Sequence, residues 1–352
     1  NDLLFSLRSS FFYLRFIIFT IFVWYVYENY PNFKKYLLIS FILAFLFVCF
    51  DSIYQFYFEK SLFGNPKPNL RLTGPFKDRQ IVGSYLARLL PLVLFLYYSF
   101  KTRLDTIAII FIGLTVFTTL LSGERTSFFM ITFFLLMFIF IKIEIKKFIL
   151  FVIVYTSIII SIIFTIGDLK KRLISQTLQG FAVSKYTHTE GENEYFKNKP
   201  NKGFYIFSRS HEVHYATAIK MFLNNKIIGV GPNMFRKECS DDKYYIEKSS
   251  CTTHPHNFPL QILAETGLIG MFFYLLLLTI LIYKILNVLY LSKIVNSNVN
   301  SYNIGIYILH LGFLINVFLI ILPSGNFFNN YLCATIFFPL GIYLSQIKKL
   351  NE

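Results

Sequence analysis

The sequence predicts an all-α protein that crosses a membrane about nine times. Of its 352 residues, 55% are hydrophobic and 43 are Phe, and the mean hydropathy is +0.54. Apolar runs recur along the chain, and most reach the roughly 17–21 residues that an α-helix needs to cross ~30 Å of hydrocarbon. A soluble domain of this length does not carry such an apolar load.

Nine runs are predicted to span the membrane. They cover residues 10–28, 36–56, 82–100, 104–121, 125–142, 148–166, 262–283, 302–322 and 327–347. We therefore divide the chain into amino-terminal transmembrane helices (1–166), a large, partly helical loop (167–258) and carboxy-terminal transmembrane helices (259–352). Because the span count is odd and the first residue is Asn, we expect further spans upstream of this chain.

The distribution of basic residues predicts which side each link faces. Cytoplasmic loops collect Lys and Arg, and the links that follow spans one, three, five, seven and nine carry them. The residues concerned are Lys34, Lys35, Lys101, Arg103, Lys142, Lys146, Lys147, Lys284, Lys293, Lys348 and Lys349. The segments 57–81, 122–124, 167–258 and 323–326 are then assigned to the outer side.

The outer segments are more basic than orientation alone explains. The formal net charge is +15, and loop 57–81 contains Lys60, Lys67, Arg71, Lys77 and Arg79 against Glu59 and Asp78. Such a surface suits an anionic ligand such as a phosphate. A solvated basic face is the alternative.

The large loop contains a predicted helix and a predicted disulfide. Residues 211–225 have an apolar stripe at helical spacing through Val213, Ala216, Ile219, Phe222 and Leu223. Cys239 and Cys251 follow 12 residues apart, and in an oxidising outer compartment we expect them to pair. A metal pair with the nearby histidines is the alternative, although zinc sites usually have more closely spaced cysteines.

The stretch THPHNFPLQILAETG (253–267) places polar side chains directly before an apolar helix. Asn257 is a good N-cap, and Gln261 and Glu265 are neighbours one turn apart. His256 precedes the cap, where the positive end of the helix favours a neutral imidazole. Such a ring can take a proton from a sugar hydroxyl; the alternative is a surface histidine bonded to a backbone carbonyl.

The stretch SGERTSFF (122–129) begins the fifth predicted span. Ser122 is a candidate cap, and Arg125 lies in the first helical turn. A cation at a helix N-terminus is unfavourable unless an anion joins it, and backbone N–H groups with a guanidinium form a phosphate cradle. The alternative is an arginine that snorkels to lipid head groups.

Three stretches together resemble the O-antigen ligase/polymerase superfamily of bacterial membrane glycosyltransferases. These stretches are RLTGPFKDRQIVGSYLARLLPL (71–92), SGERTSFF, and the block from SRSHEVHYATAIKMFLNNKIIGVGPNMF (208–235) to THPHNFPLQILAETGLIG (253–270). The last block is the most specific of the three.

The resemblance implies a GT-C-like, metal-independent and inverting enzyme that needs no cofactor. Its donor would be a glycan on undecaprenyl pyrophosphate at the periplasmic face of the bacterial inner membrane. The acceptor would be a lipid A–core sugar in a ligase, or another carrier-linked repeat in a polymerase. Membrane lipids are the remaining expected partners, and no nucleic acid is expected.

The resemblance also implies roles for particular residues. His256 would activate the acceptor hydroxyl, Arg125 would bind the pyrophosphate, and the family's loop arginine would correspond to Arg209, with His211 at the alternative position. Apart from the resemblance, Arg71, Lys77 and Arg79 in the basic loop 57–81 are further candidates for phosphate binding. The expected supporting residues are Asn257, Gln261, Glu265, His254 and His211.

Two other function classes remain open from the sequence. A flippase or exporter of lipid-linked sugars would share a basic cleft but would not need His256. A metal-dependent hydrolase could use His211, His214, His254 and His256, although the sequence has no HExxH spacing.

Overall fold

The computed structural model describes residues 3–181, 208–293, 301–319 and 322–351. The described part contains no β-strand, which confirms the predicted all-α class. The stretch 182–207 of the predicted large loop lies outside the described residues.

Eleven helices are labelled here in chain order. They are α1 (Leu3–Asn29), α2 (Phe33–Phe58), α3 (Val82–Tyr98), α4 (Thr106–Leu121), α5 (Arg125–Lys142), α6 (Ile145–Thr165), α7 (Arg209–Asn224), α8 (Phe235–Glu238), α9 (Phe258–Lys293), α10 (Ser301–Phe313) and α11 (Asn330–Asn351). Short helical segments cover Gly74–Phe76, Gly167–Leu169, Lys170–Ser175, Gln176–Phe181, Lys248–Ser250 and Leu314–Phe318.

Six of these helices are long and apolar enough to cross a membrane, namely α1, α2, α5, α6, α9 and α11. Three shorter apolar helices, Val82–Tyr98, Thr106–Leu121 and Asn303–Phe318, occupy the other runs that the sequence predicts as spans. The chain is therefore a multi-pass membrane protein. The count of nine spans stays a prediction, because these three helices have 16 or 17 residues, at or just below the lower limit for a full crossing.

The chain divides into two compact units. The bundle unit comprises Ile21–Ile174, Leu281–Asn316 and Phe338–Glu352. Its central helix is α3, which is buried along most of its length and packs against α2, α4, α5 and α10. The buried Arg88 of α3 donates to the backbone carbonyl of Asn316 at 2.9 Å and to the Ser84 hydroxyl at 3.1 Å.

Within the bundle unit, segments predicted to share the outer side lie next to one another. Lys67 pairs with Asp168 at 2.8 Å, and the backbone N–H of Leu72 donates to the carbonyl of Ser122 at 3.2 Å. At another contact, between two segments predicted to be cytoplasmic, Lys293 donates to the carbonyl of Ile143. These contacts agree with the predicted alternation of links, and the assignment of sides remains a prediction.

The loop unit comprises Asn1–Thr20, Ser175–Ile280 and Val317–Phe337. Helix α7 lies where the sequence predicts it, and Ser208 is its N-cap, since the Ser208 hydroxyl accepts from the N–H of His211 at 3.4 Å. The predicted apolar stripe is only partly correct. Val213 and Ala216 are buried, but Ile219 and Leu223 are 42% and 54% exposed.

The inward face of α7 contains both polar and apolar side chains. Its buried members include His214, Thr217, Ala218 and Met221. Ala218 and Met221 pack in a core with Val230, Met234 and Phe235. The helix therefore turns polar groups inward on one side, and this brings His214 into the unit's interior.

The predicted span 262–283 is interrupted at its start, because α9 is broken at Gly267. This glycine has φ 63° and ψ −156°, which residues with a Cβ rarely adopt. A Cβ there would lie 2.3 Å from the carbonyl oxygen of Ile227. The backbone N–H of Leu268 donates to the carbonyl of Lys226 at 2.8 Å, so the chain around residue 227 docks at the break.

Candidate active site

A tight turn at Gly123 gathers three arginines in the bundle unit. Gly123 has φ 71°, and a Cβ there would lie 3.4 Å from the Cγ of Arg172 and 3.5 Å from the Cγ of Arg71. Arg125 Nη2 donates to the backbone carbonyl of Arg172 at 3.2 Å. Arg172 Nε donates to the carbonyl of Gly123 at 3.3 Å. We call Arg71, Arg125 and Arg172 the arginine cluster.

The positive charges of the arginine cluster repel one another. Burial, followed by the charges of Arg125 and Arg71, lowers the pKa of Arg172 to about 10. That group still carries its charge at neutral pH. The Nε atoms of Arg71 and Arg125 are buried and have no hydrogen-bond partner among the described residues. An anion would offset the repulsion and satisfy such donors, as phosphates commonly do with arginine.

Glu124 fixes the turn that carries Arg125. Its carboxylate accepts from the backbone N–H groups of Gly83 at 2.8 Å and Ser84 at 3.1 Å, and from the Ser127 hydroxyl at 3.0 Å. Burial raises the pKa of Glu124, and the charge of Arg71 opposes that rise. The carboxylate therefore caps the start of α3 while its own backbone begins α5.

The predicted cap at Ser122 is wrong. Its hydroxyl donates to the carbonyl of Thr119 at 2.7 Å at the end of α4, and Glu124 is the residue that precedes α5. The side chain of Arg79 is exposed, and no described residue hydrogen-bonds to it. The structure therefore brings Arg71 to Arg125 but does not bring Arg79 to either of them.

Four histidines from two segments form a second cluster, in the loop unit. His211 and His214 lie on α7, and His254 and His256 precede α9. The ring centroid of His256 lies 4.1 Å from that of His254, 5.3 Å from His214 and 5.6 Å from His211. His256 is therefore the central member of this histidine cluster.

His254 is held in one neutral form by its hydrogen bonds. Its Nε2 lies 3.2 Å from the backbone carbonyl oxygen of Ser324, which can only accept, so Nε2 carries the proton. Nδ1 then accepts from the Thr253 hydroxyl at 2.8 Å. Burial and the neighbouring His256 lower the pKa of His254 to about 3.

Unlike the ring of His254, the ring of His256 has no hydrogen bond to any described residue. Its backbone has φ 58°, and its carbonyl accepts from the N–H of Ser324 at 2.8 Å, so the main chain is anchored. Burial lowers the pKa of His256, which keeps the imidazole neutral at pH 7. The sequence predicts a neutral ring because of the helix start, whereas the cause in the structure is burial.

The other two histidines are also neutral at pH 7. Burial and the neighbouring His256 lower the pKa of His211 and of His214 to about 4. Among the residues that the structure describes, no group of three or more His, Cys, Asp or Glu side chains has a geometry that could hold a metal ion. The histidine cluster therefore consists of four neutral rings in contact.

Residues 108–275 match the family model described as O-antigen ligase. This match, which covers 168 of the 352 residues, supports membership of the O-antigen ligase superfamily. No curated protein and no solved structure matches the chain. Members of this family are glycosyltransferase-type enzymes of the ligase or polymerase kind, which act on lipid-linked glycans. The matched segment contains Arg125, Arg172 and the whole histidine cluster.

Arg209 lies in the segment that matches the O-antigen ligase family, and its side chain forms an ion pair. Its Nη2 lies 2.8 Å from a carboxylate oxygen of Glu247, and both side chains are about one-fifth exposed. The adjacent His211 ring lies 2.7 Å from the Ser208 hydroxyl. An anion at Arg209 would therefore compete with Glu247.

The predicted supporting residues tie the start of α9 to its surroundings. Asn257 Oδ1 accepts from the N–H of Leu260 at 3.0 Å, which is the geometry of an N-cap. Gln261 Nε2 donates to Glu265 at 3.1 Å and to Asn326 Oδ1 at 2.8 Å. Glu265 in turn accepts from the N–H of Phe235 at 2.8 Å. These contacts orient the segment that presents His256.

Cys239 and Cys251 are joined as a disulfide, with Cα atoms 5.1 Å apart. Cys239 is buried in the same core as Met234 and Phe235. The bond closes the loop that leads to the histidine cluster, so it restricts the chain just before His254.

Two residues of the site are not predicted from the sequence. Arg172 belongs to the arginine cluster, and Glu124 fixes the turn that carries Arg125. Arg172 follows Lys170 and Lys171, and nothing in its local sequence distinguishes it from the other basic residues of the large loop. Glu124 lies inside the SGERTSFF motif, and a carboxylate beside an arginine in a turn is a usable signal for a cap or an ion pair.

Proposed function

We propose that the protein transfers a glycan from undecaprenyl pyrophosphate to a lipid A–core sugar at the periplasmic face of the inner membrane. One observation carries this proposal: within an O-antigen ligase family segment, the ring of His256 is neutral, central to its cluster and without a described partner. A ring in that condition suits a general base.

The chemical step is an inverting displacement. A nitrogen of His256 takes the proton of the acceptor hydroxyl as its oxygen attacks the anomeric carbon of the donor sugar. The bond between that carbon and the diphosphate oxygen breaks, and its electron pair leaves with the polyprenyl diphosphate. The resulting imidazolium later releases its proton to water.

We assign the diphosphate to the arginine cluster. The leaving group needs little acid assistance but gains negative charge as the bond breaks, so fixed cations lower the barrier. Arg125 and Arg71 have buried Nε donors without described partners, and Arg172 adds a third positive charge. Charge neutralisation by guanidinium groups supports a mechanism that does not depend on a divalent metal.

A polymerase would use the same chemistry with a different acceptor, namely a second carrier-linked glycan. A flippase would move the donor without breaking the glycosidic bond. These alternatives differ in their products, so one reconstituted assay separates them.

The test uses the full chain in proteoliposomes with a labelled undecaprenyl-pyrophosphate glycan, in the presence of EDTA. Parallel reactions contain a lipid A–core acceptor, a second carrier-linked glycan, or no acceptor. We expect label on lipid A–core despite chelation. Lengthened carrier-linked glycan would replace the ligase proposal with the polymerase, and loss of transfer in EDTA would contradict the metal-independent mechanism.

A further inference from the structure

A cavity of about 240 Å³ in the loop unit lies beside the amino-terminal part of α1. Its polar lining comes from three segments that are distant in sequence. The residues concerned are Arg8, Ser9 and Arg15 of α1, Asn233 and Asn330. The remaining lining residues are aromatic, and no carboxylate lines the cavity.

Arg8 and Arg15 project from the same side of α1, because seven residues make nearly two helical turns. Arg15 donates to Asn330 Oδ1. The guanidinium carbon of Arg15 lies 4.9 Å from the ring centroid of Phe16, and that of Arg8 lies 5.5 Å from that of Phe12. The guanidinium groups of Arg8 and Arg15 therefore lie against aromatic rings, and that of Arg15 also binds an amide oxygen.

Neither arginine has an acidic partner among the described residues, so two positive charges remain uncompensated at this cavity. The neighbouring surface of α1 is apolar, since Leu4, Phe11 and Ile18 are 78%, 69% and 70% exposed. The helix is also long and apolar enough to cross a membrane. An arginine beside lipid is costly unless it reaches an anion, and lipid phosphates lie at the depth to which such side chains extend.

We propose that this cavity binds the phosphate ester of a membrane lipid between Arg8 and Arg15. Ser9 and Asn233 place polar side chains beside that position, where they can bind the hydroxyls of a glycerol or a sugar. The exposed apolar side chains of α1 would lie along the lipid tail. This site is separate from the glycosyl-transfer proposal, and neither of its arginines belongs to the arginine cluster.

The phosphate could belong to a phospholipid or to a phosphorylated glycolipid. Delipidated full-length protein in detergent is titrated with phosphatidylglycerol, a phosphorylated lipid A, or diacylglycerol, and bound lipid is counted by native mass spectrometry. We expect the two phosphate-bearing lipids to bind and diacylglycerol not to bind. The tighter of the two identifies the source, and equal binding of diacylglycerol would overturn the proposal.

The matched variants are Arg8→Gln and Arg8→Gln/Arg15→Gln, with Lys101→Gln/Arg103→Gln as a control that removes two exposed charges elsewhere. We expect Arg8→Gln to weaken phosphate-lipid binding about tenfold, as the loss of one charge-assisted hydrogen bond does. The double variant should lose more. Because Arg8 makes no hydrogen bond in the described part of the chain, Arg8→Gln tests the site without disturbing the Arg15–Asn330 contact.

Two further results, both from the variants, would overturn the proposal. One is wild-type affinity in both Arg8 variants. The other is an equal loss in the Lys101→Gln/Arg103→Gln control, which would show that the effect follows net charge and not this cavity.

Discussion

Glu124 accepts a hydrogen bond of 2.8 Å from the backbone N–H of Gly83, 41 residues earlier in the chain. This contact fixes the turn before α5 against the start of α3. Arg125 directly follows Glu124, so the orientation of its guanidinium depends on a carboxylate that belongs to no predicted site.

Glu124→Gln should lower the free energy of unfolding by about 1–3 kcal/mol, the range for a buried polar group left unpaired. The amide would turn a donor toward N–H groups that the carboxylate now satisfies. Thermal unfolding in detergent measures the loss. Glu144→Gln is the matched control, because Glu144 pairs with Lys147 at an exposed site; equal stability of the two variants would contradict the capping role.

Arg125→Lys should reduce transfer about tenfold or more, on the scale of a lost charge-assisted hydrogen bond. Lysine keeps the charge but cannot reproduce the planar fork of a guanidinium. Initial rates with saturating acceptor and varied donor measure the effect, and Arg103→Lys serves as the control. Wild-type rates in Arg125→Lys would leave lipid snorkelling as the role of Arg125.

Gly267→Ala should destabilise the loop unit by at least about 1–2 kcal/mol, because the residue has φ 63° and its Cβ would meet the carbonyl oxygen of Ile227. Gly113→Ala is the control, since a Cβ there meets nothing within 4 Å. Limited proteolysis between residues 208 and 258 reports on the loop unit. Equal protection of the two variants would argue against the break in α9.

Stability of the loop unit should decline as pH falls from 6.5 towards 4. Burial lowers the folded-state pKa of His211 and His214 to about 4 and that of His254 to about 3. The unfolded chain therefore binds protons near pH 6.5 that the folded state does not, and acid favours unfolding. Hydrogen exchange of residues 208–258 at pH 7.5 and pH 4.5 measures this, and equal protection would contradict burial of neutral rings.

Much of the fold follows from the sequence because it depends on local patterns. Nine apolar runs coincide with nine helices of the described chain, and the Asn257 cap and the Gln261–Glu265 pair depend on spacings of three and four residues. The break at Gly267 could not be predicted, since an isolated glycine in an apolar pattern is compatible with a continuous helix. The break depends on the packing of the chain around residue 227 against Gly267, which is a contact across 40 residues of sequence.

The residues of the candidate site also fall into those that local patterns predict and those that depend on long-range contacts. His256 and Arg125 lie in motifs that local rules can interpret. The contribution of Arg172 depends on a contact with Gly123 across 49 residues, and that of Glu124 depends on the start of α3. Charge composition alone does not distinguish Arg71, which lies in the cluster, from Arg79, which is exposed.

The catalytic role of His256 is tested most directly by measuring the rate of single-turnover glycan transfer in the His256→Asn variant. Asparagine tolerates the left-handed backbone found at this position better than most residues, so the fold should persist while the imidazole is lost. We expect a fall in transfer of about 10²–10⁴-fold, the usual contribution of a general base, with donor binding little changed. Transfer at the wild-type rate would contradict the assignment of His256 as the base.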